Sequence, residues 1–421
     1  MASASAASLY TTLEIKKEDK VVDLKAKTIR FDYFESLYSP VVTANMVFLD
    51  AGGSVDDKRG QKKVGIKDGL PITGLEEVSV LIETKYGKVD YKKTPFKVSK
   101  APILDQEANR QTVLLSLTGP TEVKNSEVPN FKKYTGRISD NVKKILTEEL
   151  GLSDSEITID PTRNGYNFLG KGRGVLNIVL DMCKRSIPVS GDPGYFFYQT
   201  QDGYNYRSID GLLAQEPKET YTFSGALKSG TDNDNNDFKI VSAPRTKKDQ
   251  DVLDALKSGT YISRNIFFDP RTFQYQELVF NIGKSGKPKK TLGGEVPFAK
   301  DVKSFTKTNR HTLDVGSLDS YVSEGVNNDP REWQAKSVMR YNLLHSQIMN
   351  IQVPCNASLR AGDIINVEIE SMSEDKELGF ADEQQSGKYL ILHLCHHFDT
   401  NKSYTSMTLV RDTYGKHTSK D

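Results

Sequence analysis

The sequence is poor in cysteine and almost without net charge. Its 421 residues include three cysteines, Cys183, Cys355 and Cys395, which are too few and too scattered for a disulfide framework or a structural zinc site. The odd count is typical of a reducing compartment. Because 57 Lys and Arg residues stand against 56 Asp and Glu residues, the formal charge of +1 provides no global field for holding nucleic acid or an anionic membrane. Any such contact is predicted to be local.

Long apolar segments are lacking as well. The longest apolar runs, such as 389–395, fall far short of a membrane span, and 27% of the residues are charged. The first residues, MASASAASLYTTLE, lack the basic and apolar regions of a signal peptide and the arginines of a transit peptide. The sequence therefore predicts a flexible tail on a cytosolic protein. At about 100–200 residues per domain, the length predicts roughly two to four domains and excludes disorder as the main state.

The first part of the chain predicts strand after strand. Runs rich in aromatic and β-branched residues alternate with Gly, Pro, Asn and Asp. The spacing of these short runs is typical of an antiparallel barrel or sandwich, and no helical periodicity precedes about residue 135. The predicted strands lie at 9–15, 27–31, 41–49, 77–83, 96–98 and 112–117.

The pattern then changes to mixed helix and strand. A helix is predicted to start at a Ser139-Asp140 cap and to end at Gly151, and a second helix is predicted at 175–185. A hairpin at 195–209 follows, with an Asp-Gly step that supplies the positive-φ turn. These elements predict a mixed α+β unit.

The rest of the chain combines a polar stretch with a second strand-rich part. The polar stretch is predicted to hold a helix at 249–257 and a strand pair near 265–268 and 273–279. A last helix, at about 330–347, leads into strongly alternating sequence. The strands predicted there are 350–353, 363–369, 389–398 and 404–410.

These patterns predict a mainly β (α+β) protein in which two antiparallel β-barrels flank a mixed domain. The first barrel is assigned to 1–125, the mixed α+β domain to 126–221 and an insertion or connecting region to 222–330. The second barrel is assigned to 331–421 and is predicted also to use strands near 222–240.

Three loops resemble ligand-binding motifs but lack their defining residues. The stretch 232–237 opens like a calcium loop, yet Asp237 stands where Gly is needed and Ala243 where a bidentate Glu is needed. The glycine-rich stretches 170–174 and 283–287 have the spacing of neither a P-loop nor a dinucleotide fingerprint. Solvated polar turns are the favoured interpretation of all three, so no cofactor is predicted.

His393, Cys395 and His397 are the candidates for metal binding. They share one face of a predicted strand, but the end members lie about 13 Å apart, so one ion cannot bind all three. A two-residue site would need a further ligand from His311, His345 or a carboxylate, and the sequence supplies no spacing for it. A strand that packs its imidazoles is the favoured interpretation, and no metal is assigned.

The signatures of hydrolases are missing. The sequence has no Gly-x-Ser-x-Gly elbow and no His-Glu-x-x-His helix. Its carboxylates are too numerous for any pair to be singled out as a glycosidase site. No catalytic residue is assigned, and the protein is predicted not to be an enzyme.

Seven stretches of the chain form an ordered set of motifs. They are FESLYSPVVTANM (34–46), GLPITGLE (69–76), YTGRISD (134–140), GYFFYQTQDGY (194–204), LRAGD (359–363), SGKYLI (386–391) and YTSMTLVRDTYG (404–415). Together they resemble the central baseplate hub protein of T-even-like contractile-tailed bacteriophages. The resemblance covers most of residues 9–415 and is lowest at about 225–330.

The resemblance implies a structural role in the virion. Similar hub proteins form a homotrimer in which each chain contributes two tube-like β-barrels. Three chains then present six barrels to the sixfold tail tube above and threefold symmetry to the cell-puncturing spike below. DNA is expected to pass through the lumen without specific binding, in a tail baseplate that assembles in the host cytoplasm. Tube-initiator proteins are the alternative partner above the hub, the tape-measure protein and baseplate wedge proteins are further expected partners, and no membrane insertion is expected.

Two alternatives stay open at this point. One is the VgrG-like spike base of a contractile secretion apparatus, which is less favoured because such chains commonly carry a fused needle or effector, whereas this sequence stops at Asp421 soon after the final strand. The other is a tail-associated cell-wall hydrolase, whose signature would be a nucleophile or a metal set.

Overall fold

The computed structural model describes residues 4–53, 55–56, 63–107, 110–223, 236–249, 251–284, 286–294, 296, 302–314, 327–370 and 382–414. Over these ranges the protein is mainly β, with several antiparallel sheets and a smaller number of helices. No helix in these ranges has both the length and the apolar character needed to cross a membrane.

The strands are short to medium in length and run through the whole chain. They are β1 Leu9–Lys17, β2 Lys20–Asp23, β3 Thr28–Ser36, β4 Thr43–Asp50, β5 Val55–Asp56, β6 Lys63–Val64, β7 Glu77–Glu83, β8 Lys88–Lys100, β9 Ile103–Gln106, β10 Gln111–Thr118, β11 Lys133–Tyr134, β12 Ile157–Ile159, β13 Phe168–Leu169, β14 Tyr195–Thr200, β15 Gly203–Ser208, β16 Thr220–Phe223, β17 Arg245–Asp249, β18 Ile262–Asp269, β19 Gln274–Asn281, β20 Lys307–Thr312, β21 Gln347–Pro354, β22 Ile364–Ile369, β23 Gly387–Asp399 and β24 Ser403–Arg411.

The helices are concentrated in the middle of the chain. They are α1 Ile66–Gly69, α2 Pro120–Glu127, α3 Ile138–Glu148, α4 Val175–Cys183, α5 Ile209–Leu213, α6 Val252–Ser258 and α7 Pro330–Leu344. Single 3-10 turns lie at Lys25–Lys27 and Asp154–Glu156.

One 14-stranded sheet contains both β-rich parts of the chain. Its strands follow the order β17-β21-β24-β23-β3-β4-β10-β8-β7-β1-β2, with β22 and β16 beside β23 and with β9 beside β10. Strand β23 belongs to both parts, since its first residues pair with β22 and its last residues pair with β3. We call β1–β4 with β7–β10 the first β region, and β16, β17 and β21–β24 the second β region.

Each β region covers its own apolar core. In the first, Met46, Phe96 and Leu115 are among the fully buried side chains, because every second residue of the strands points to the same side. In the second, Leu394 and Met407 are buried in the same way. The alternation in sequence therefore sets which face of the sheet is apolar.

The mixed part of the chain forms a separate core. Helices α3 and α4 pack their apolar stripes, which include Val142, Ile145 and Val179, against a three-stranded sheet of order β12-β15-β14. The β14–β15 hairpin turns at Gln201-Asp202, and Gly203 adopts the positive φ that a side chain would strain.

Residues 245–312 add β17 to the main sheet and form a small sheet of their own. Strand β18 pairs antiparallel with β19 and parallel with β20. Helix α7 packs nearby through Met339 and Leu343, which share a buried cluster with Tyr261 and Ile262. This small sheet is separate from the strand order of the main sheet.

Arg340 of α7 connects distant parts of the chain through buried charges. Its guanidinium donates to Asp210 of α5 at 2.6 Å and to Asp412, just after β24, at 3.3 Å. The backbone amide of Leu292 donates to the other oxygen of Asp412 at 3.0 Å. Burial raises the pKa of both carboxyls, against the lowering effect of Arg340, whose single positive charge offsets part of their negative charge.

Glu35 makes a second buried connection, on the core side of β3. It accepts from the Tyr33 hydroxyl at 2.7 Å and from the backbone amides of Gln201 and Ala361, each at 2.9 Å. Arg360 lies 4.0 Å away. Burial raises the pKa of Glu35, against the lowering effect of Arg360 and of these hydrogen bonds. The first β region, the β14–β15 turn and the loop before β22 thus meet at one carboxyl group.

Most of the predicted strands are confirmed, but three details of the helices are wrong. Helix α3 begins at Ile138 after an extended Arg137, so Ser139 lies inside the first turn and does not cap it. Asp249 is the last residue of β17 because it pairs with Gln347, and α6 begins only at Val252. Helix α2 was not expected; Pro occupies its first turn, and its mostly polar sequence has no apolar stripe to predict it from.

The two-barrel arrangement is not established. In the described residues, the main sheet follows one open path with β17 and β2 at its ends; β9, β16 and β22 branch from it, and no pairing among these residues closes either β region. A mainly β architecture with several antiparallel sheets is what the structure shows.

Candidate functional site

The two β regions meet along one pair of strands. Strands β3 and β23 pair antiparallel at seven successive positions, from His393 opposite Ser36 to Asp399 opposite Arg30. Since β4 and β10 continue the sheet on one side and β24 and β21 continue it on the other, six neighbouring strands form one surface across both regions. The pairing therefore joins the regions through the backbone.

This six-strand surface has one apolar side and one solvent-facing side. Directly opposite residues on paired strands share a side, so the solvent-facing side can be followed from strand to strand. Apart from the buried Asp32 and Cys395, its side chains are half-buried or exposed. We call it the shared face; it comprises Asn350, Gln352, Tyr404, Ser406, Thr408, His393, Cys395, His397, Arg30, Asp32, Phe34, Ser36, Thr43, Asn45, Val47, Leu49, Thr112, Leu114, Ser116 and Thr118.

The shared face is polar and carries little charge. Half of its side chains are Ser, Thr, Asn or Gln. Its Arg and Asp residues, Arg30 and Asp32, form an ion pair with each other at 2.8 Å. A surface of this kind hydrogen-bonds water readily but provides no field that would hold a polyanion.

A groove lies over the part of the shared face where β3, β23, β24 and β21 run side by side. Phe34, Gln352, His393 and Ser406 contribute to its walls, and Arg245 of β17 lies at its margin. The groove contains Cys395 and His397 as well. All three predicted metal candidates thus line one groove.

Cys395 and His397 of this groove form a compact cluster with the buried Asp32. Nδ1 of His397 lies 2.8 Å from Oδ1 of Asp32 and 3.6 Å from Sγ of Cys395. The three ligand atoms all lie within 4.8 Å of one another. Asp32 stands directly opposite His397 in the β3–β23 pairing. The carboxylate that a site at this strand would require is therefore present.

The cluster does not have the arrangement of a catalytic triad. In a nucleophile–histidine–carboxylate relay, the nucleophile and the carboxylate approach opposite nitrogens of the imidazole. Here the Cys395 thiol and the Asp32 carboxyl both approach Nδ1 of His397. Burial also raises the pKa of Cys395 above its ordinary value, which disfavours the nucleophilic thiolate.

His393 takes part in a different set of contacts. Its Nδ1 lies 2.7 Å from the Ser36 hydroxyl, and its ring lies 5.9 Å from that of Tyr38. The Tyr38 hydroxyl contacts Nε2 of His345 at 2.8 Å. Burial lowers the pKa of His345 and His393, so both imidazoles are neutral near pH 7. The predicted set His393, Cys395 and His397 thus divides into one residue and a pair.

The calcium-like stretch lies largely outside the described residues. Asn236 and Asp237 are described, and Asp237, which stands where a calcium loop needs Gly, is buried. Lys85 forms an ion pair with it at 2.8 Å, and the backbone amide of Ala4 donates to it at 3.0 Å. Asp237 therefore anchors the start of the chain to the second β region.

The glycine-rich stretches take up structural positions where they are described. Gly170 lies so close to Asn130 that a Cβ atom there would be 2.3 Å from a backbone oxygen, and Arg173 forms an ion pair with Asp181. In the other stretch, Ser285 lies outside the described residues, and Gly286 packs closely against Phe280.

Asp32 is the member of the cluster that the sequence did not indicate. It lies 365 residues before His397, and only the register of β3 on β23 brings the two together. The alternation of Arg30, Asp32 and Phe34 puts Asp32 on one side of a strand, but it does not say which strand lies next to it. A local sequence pattern therefore could not have identified Asp32 as the third member of the cluster.

The fold is similar to that of crystallised tail proteins. The tail protein of Neisseria meningitidis aligns with a TM-score of 0.55 at 9% identity, covering 95% of this chain and 96% of that one. The 43 kDa tail protein of prophage MuSo2 from Shewanella oneidensis aligns with a TM-score of 0.50 at 8% identity, covering 95% and 98%. The E. coli c3393 protein, a component of the type VI secretion system, gives 0.47 at 9% identity, covering 96% and 78%.

Sequence comparison adds nothing to this likeness, since no protein-family model and no curated protein matches the chain. At identities below a tenth, the structural likeness concerns the fold. The chain has the fold of the two tail proteins, over almost the whole length of each.

Proposed function

We propose that the protein is a structural component of a contractile phage tail baseplate and forms its trimeric central hub. Three chains surround the tail axis, and each contributes its two β regions as similar units. Six such units match the sixfold tail tube on one side, while the threefold axis matches the spike on the other. The tail-protein fold and the sequence resemblance over residues 9–415 support this proposal.

The observation that carries the proposal is the continuity of the shared face. The β3–β23 pairing makes one surface out of two β regions, so a single chain presents six side-by-side strands with the same polar side outward. Three copies of such a surface are enough to enclose a channel without a gap between the two regions of a chain. The apolar sides then remain within the chains, where the cores already lie.

The chemistry of the shared face suits a channel for DNA. Ser, Thr, Asn and Gln side chains keep the wall hydrated, and the Arg30–Asp32 pair is neutral overall. A wall rich in unpaired Lys or Arg would release counterions from the phosphates and retain the DNA. In the proposed hub the polyanion therefore passes without specific binding.

The proposed role is structural and not catalytic. The Cys395 thiol and the Asp32 carboxyl approach the same ring nitrogen of His397, which supports this because a catalytic relay places them at opposite nitrogens. A zymogram on cell-wall material checks it. A cleared band that a single carboxylate substitution abolishes would favour a tail-associated hydrolase instead.

Solution mass tests the trimer directly. Light scattering of the purified chain, alone and mixed with the spike protein of the same phage, is expected to give three copies of the 47.0 kDa chain, or 141 kDa, plus any bound spike. Negative-stain averages of the same peak should show threefold rings. A chain that stays monomeric in both samples contradicts the hub assignment.

A pair of lysine variants tests whether the shared face lines the channel. Asn45→Lys with Gln352→Lys adds two charges per chain to the proposed wall, so six charges converge in a trimer. The control, Ser126→Lys with Thr158→Lys, adds the same charge at exposed positions of the mixed domain. Gel-shift titration of trimeric protein should show tighter single-stranded DNA binding for the shared-face pair. Equal binding by the two variants argues against a channel position.

A further inference from the structure

We propose that Asp32, Cys395 and His397 bind one divalent transition-metal ion of the zinc type on the shared face. The proposal rests on the positions of these side chains and not on the hub function, since the cluster lies within a single chain. Its effect would be to pin strand β3 to strand β23 where the two β regions join.

The separation of the sulfur and nitrogen ligand atoms fits tetrahedral coordination. Zinc–sulfur bonds of about 2.3 Å and zinc–nitrogen bonds of about 2.0–2.1 Å place tetrahedral sulfur and nitrogen ligands about 3.6 Å apart. Sγ of Cys395 and Nδ1 of His397 are 3.6 Å apart. Tetrahedral nitrogen and oxygen ligands lie about 3.3 Å apart. Asp32 and His397, now 2.8 Å apart as a hydrogen-bonded pair, would separate by about half an ångström.

The chemical nature of the three ligand atoms determines which class of metal ion fits the cluster. A thiolate, an imidazole and one carboxylate oxygen suit zinc and its neighbours, whereas calcium and magnesium prefer oxygen ligands throughout. Cys395 and His397 are two residues apart on one strand, and Asp32 is directly opposite on the next, so paired backbones fix all three. Three protein ligands leave the fourth position of a tetrahedron to water in the groove.

Neighbouring side chains already hold two of the ligands in place. Nε of Arg30 donates to Oδ2 of Asp32 at 2.8 Å, which leaves Oδ1 directed at His397. The ring of Tyr404 stacks on that of His397, with the centroids 4.4 Å apart. Outer partners that orient ligands in this way are typical of metal sites, and losing one typically weakens metal affinity about 10–100-fold.

Cobalt(II) titration of the reduced, intact protein tests the proposal. The expected result is one Co²⁺ per chain, with the near-ultraviolet charge-transfer absorption of a cobalt–thiolate bond, followed by displacement on addition of Zn²⁺. Cys395→Ser should abolish the thiolate absorption, and Asp32→Asn should weaken binding by more than the 10–100-fold expected for Arg30→Gln. Cys183→Ser and Cys355→Ser, at buried positions outside the cluster, should leave the absorption unchanged.

His393→Ala is the closest matched control. It removes another histidine from the same strand and the same face but outside the cluster, so cobalt binding should persist. The proposal is overturned if the wild-type protein shows no thiolate absorption at micromolar cobalt, or if Cys395→Ser retains it. Should the ligand variants fail to fold, alkylation of wild-type Cys395 followed by mass spectrometry decides the matter. If the metal site exists, Zn²⁺ slows the alkylation of Cys395. Equal alkylation rates with and without Zn²⁺ would contradict the proposed metal site.

Discussion

The chain holds its parts together by two different kinds of joint. The strand joint between β3 and β23 pairs the two backbones over seven residues of each strand and depends little on most side chains of the shared face. The ionic joints at Arg340 and Glu35 depend on single buried groups, each of which contacts several elements. We therefore expect the strand joint to tolerate side-chain substitutions and the ionic joints not to tolerate them.

This difference has a consequence for function. A surface that lines a channel can change its side chains as long as the strands beneath it stay paired, because backbone pairing does not depend on them. The mixed domain and helix α7, in contrast, are fixed to the sheet by charges that have to remain compensated.

The largest effect is expected at Arg340. Arg340→Met leaves the buried carboxylates of Asp210 and Asp412 without their partner, so the free energy of unfolding by urea should fall by about 3–5 kcal/mol. The variant that also carries Asp210→Asn and Asp412→Asn should recover a large part of this loss, since the uncompensated charges are gone. If the triple variant is no more stable than Arg340→Met, charge compensation is not what holds this joint.

A smaller loss is expected at Glu35. Glu35→Leu removes the acceptor of two backbone amides. Because the amide of Ala361 is buried, leaving it without an acceptor should by itself lower the free energy of unfolding by about 1–3 kcal/mol. Glu35→Gln keeps one acceptor oxygen and should lose less. Equal stability of the two variants in urea unfolding would show that these hydrogen bonds do not matter.

His396, on strand β23 of the strand joint, is expected to make the free energy of unfolding depend on pH. It lies on the core side of β23, 2.9 Å from the Thr405 hydroxyl, and burial lowers its pKa to about 3. Its unfolded pKa is about 6.5, so between these values the unfolded chain binds a proton that the folded chain excludes. The stabilisation is therefore complete above pH 6.5 and decreases as the pH falls, by about 2 kcal/mol at pH 5.

His396→Asn is the variant that isolates this effect. It should lower stability by a constant amount and, compared with the wild type, remove about 2 kcal/mol of the loss between pH 8 and pH 5. Urea unfolding of both proteins at the two pH values gives the comparison. Parallel losses in the two proteins would mean that other groups account for the pH dependence.

The smallest effect is expected on the shared face itself. Ser406→Ala should change the free energy of unfolding by no more than about 0.5 kcal/mol, since the side chain is half-buried and the backbone keeps its pairing. Its neighbour Met407 points into the core, and Met407→Ala should cost about 2–5 kcal/mol. A comparable loss in both variants would contradict the separation of the two faces.

The strands of this fold could be predicted from local alternation. Strand β7 has the predicted bounds, and β24 extends the prediction by one residue at each end, since apolar and polar residues alternate along both. The errors in the predicted helix starts lie where tertiary contacts determine the backbone conformation. Asp249 pairs with Gln347 and so ends a strand where a helix was predicted to begin, and the amide of Ser139 is satisfied by the Thr162 hydroxyl and not by a local cap.

The site could be predicted only in part. Cys395 and His397 are visible as neighbours on one face because they are two residues apart on a strand. Asp32 and the shared face require the pairing of β3 with β23, and the register of two strands so far apart in sequence is set by the cores beneath them. Sequence alone therefore indicated candidate ligands but not the surface to which they belong.

Electron cryo-microscopy of the assembled particle tests the central claim most directly. We expect three chains around the axis, with Asn45 and Ser406 of each shared face directed into an open lumen. A map in which the shared face is buried against a neighbouring subunit, or faces the outside of the particle, would contradict the channel assignment.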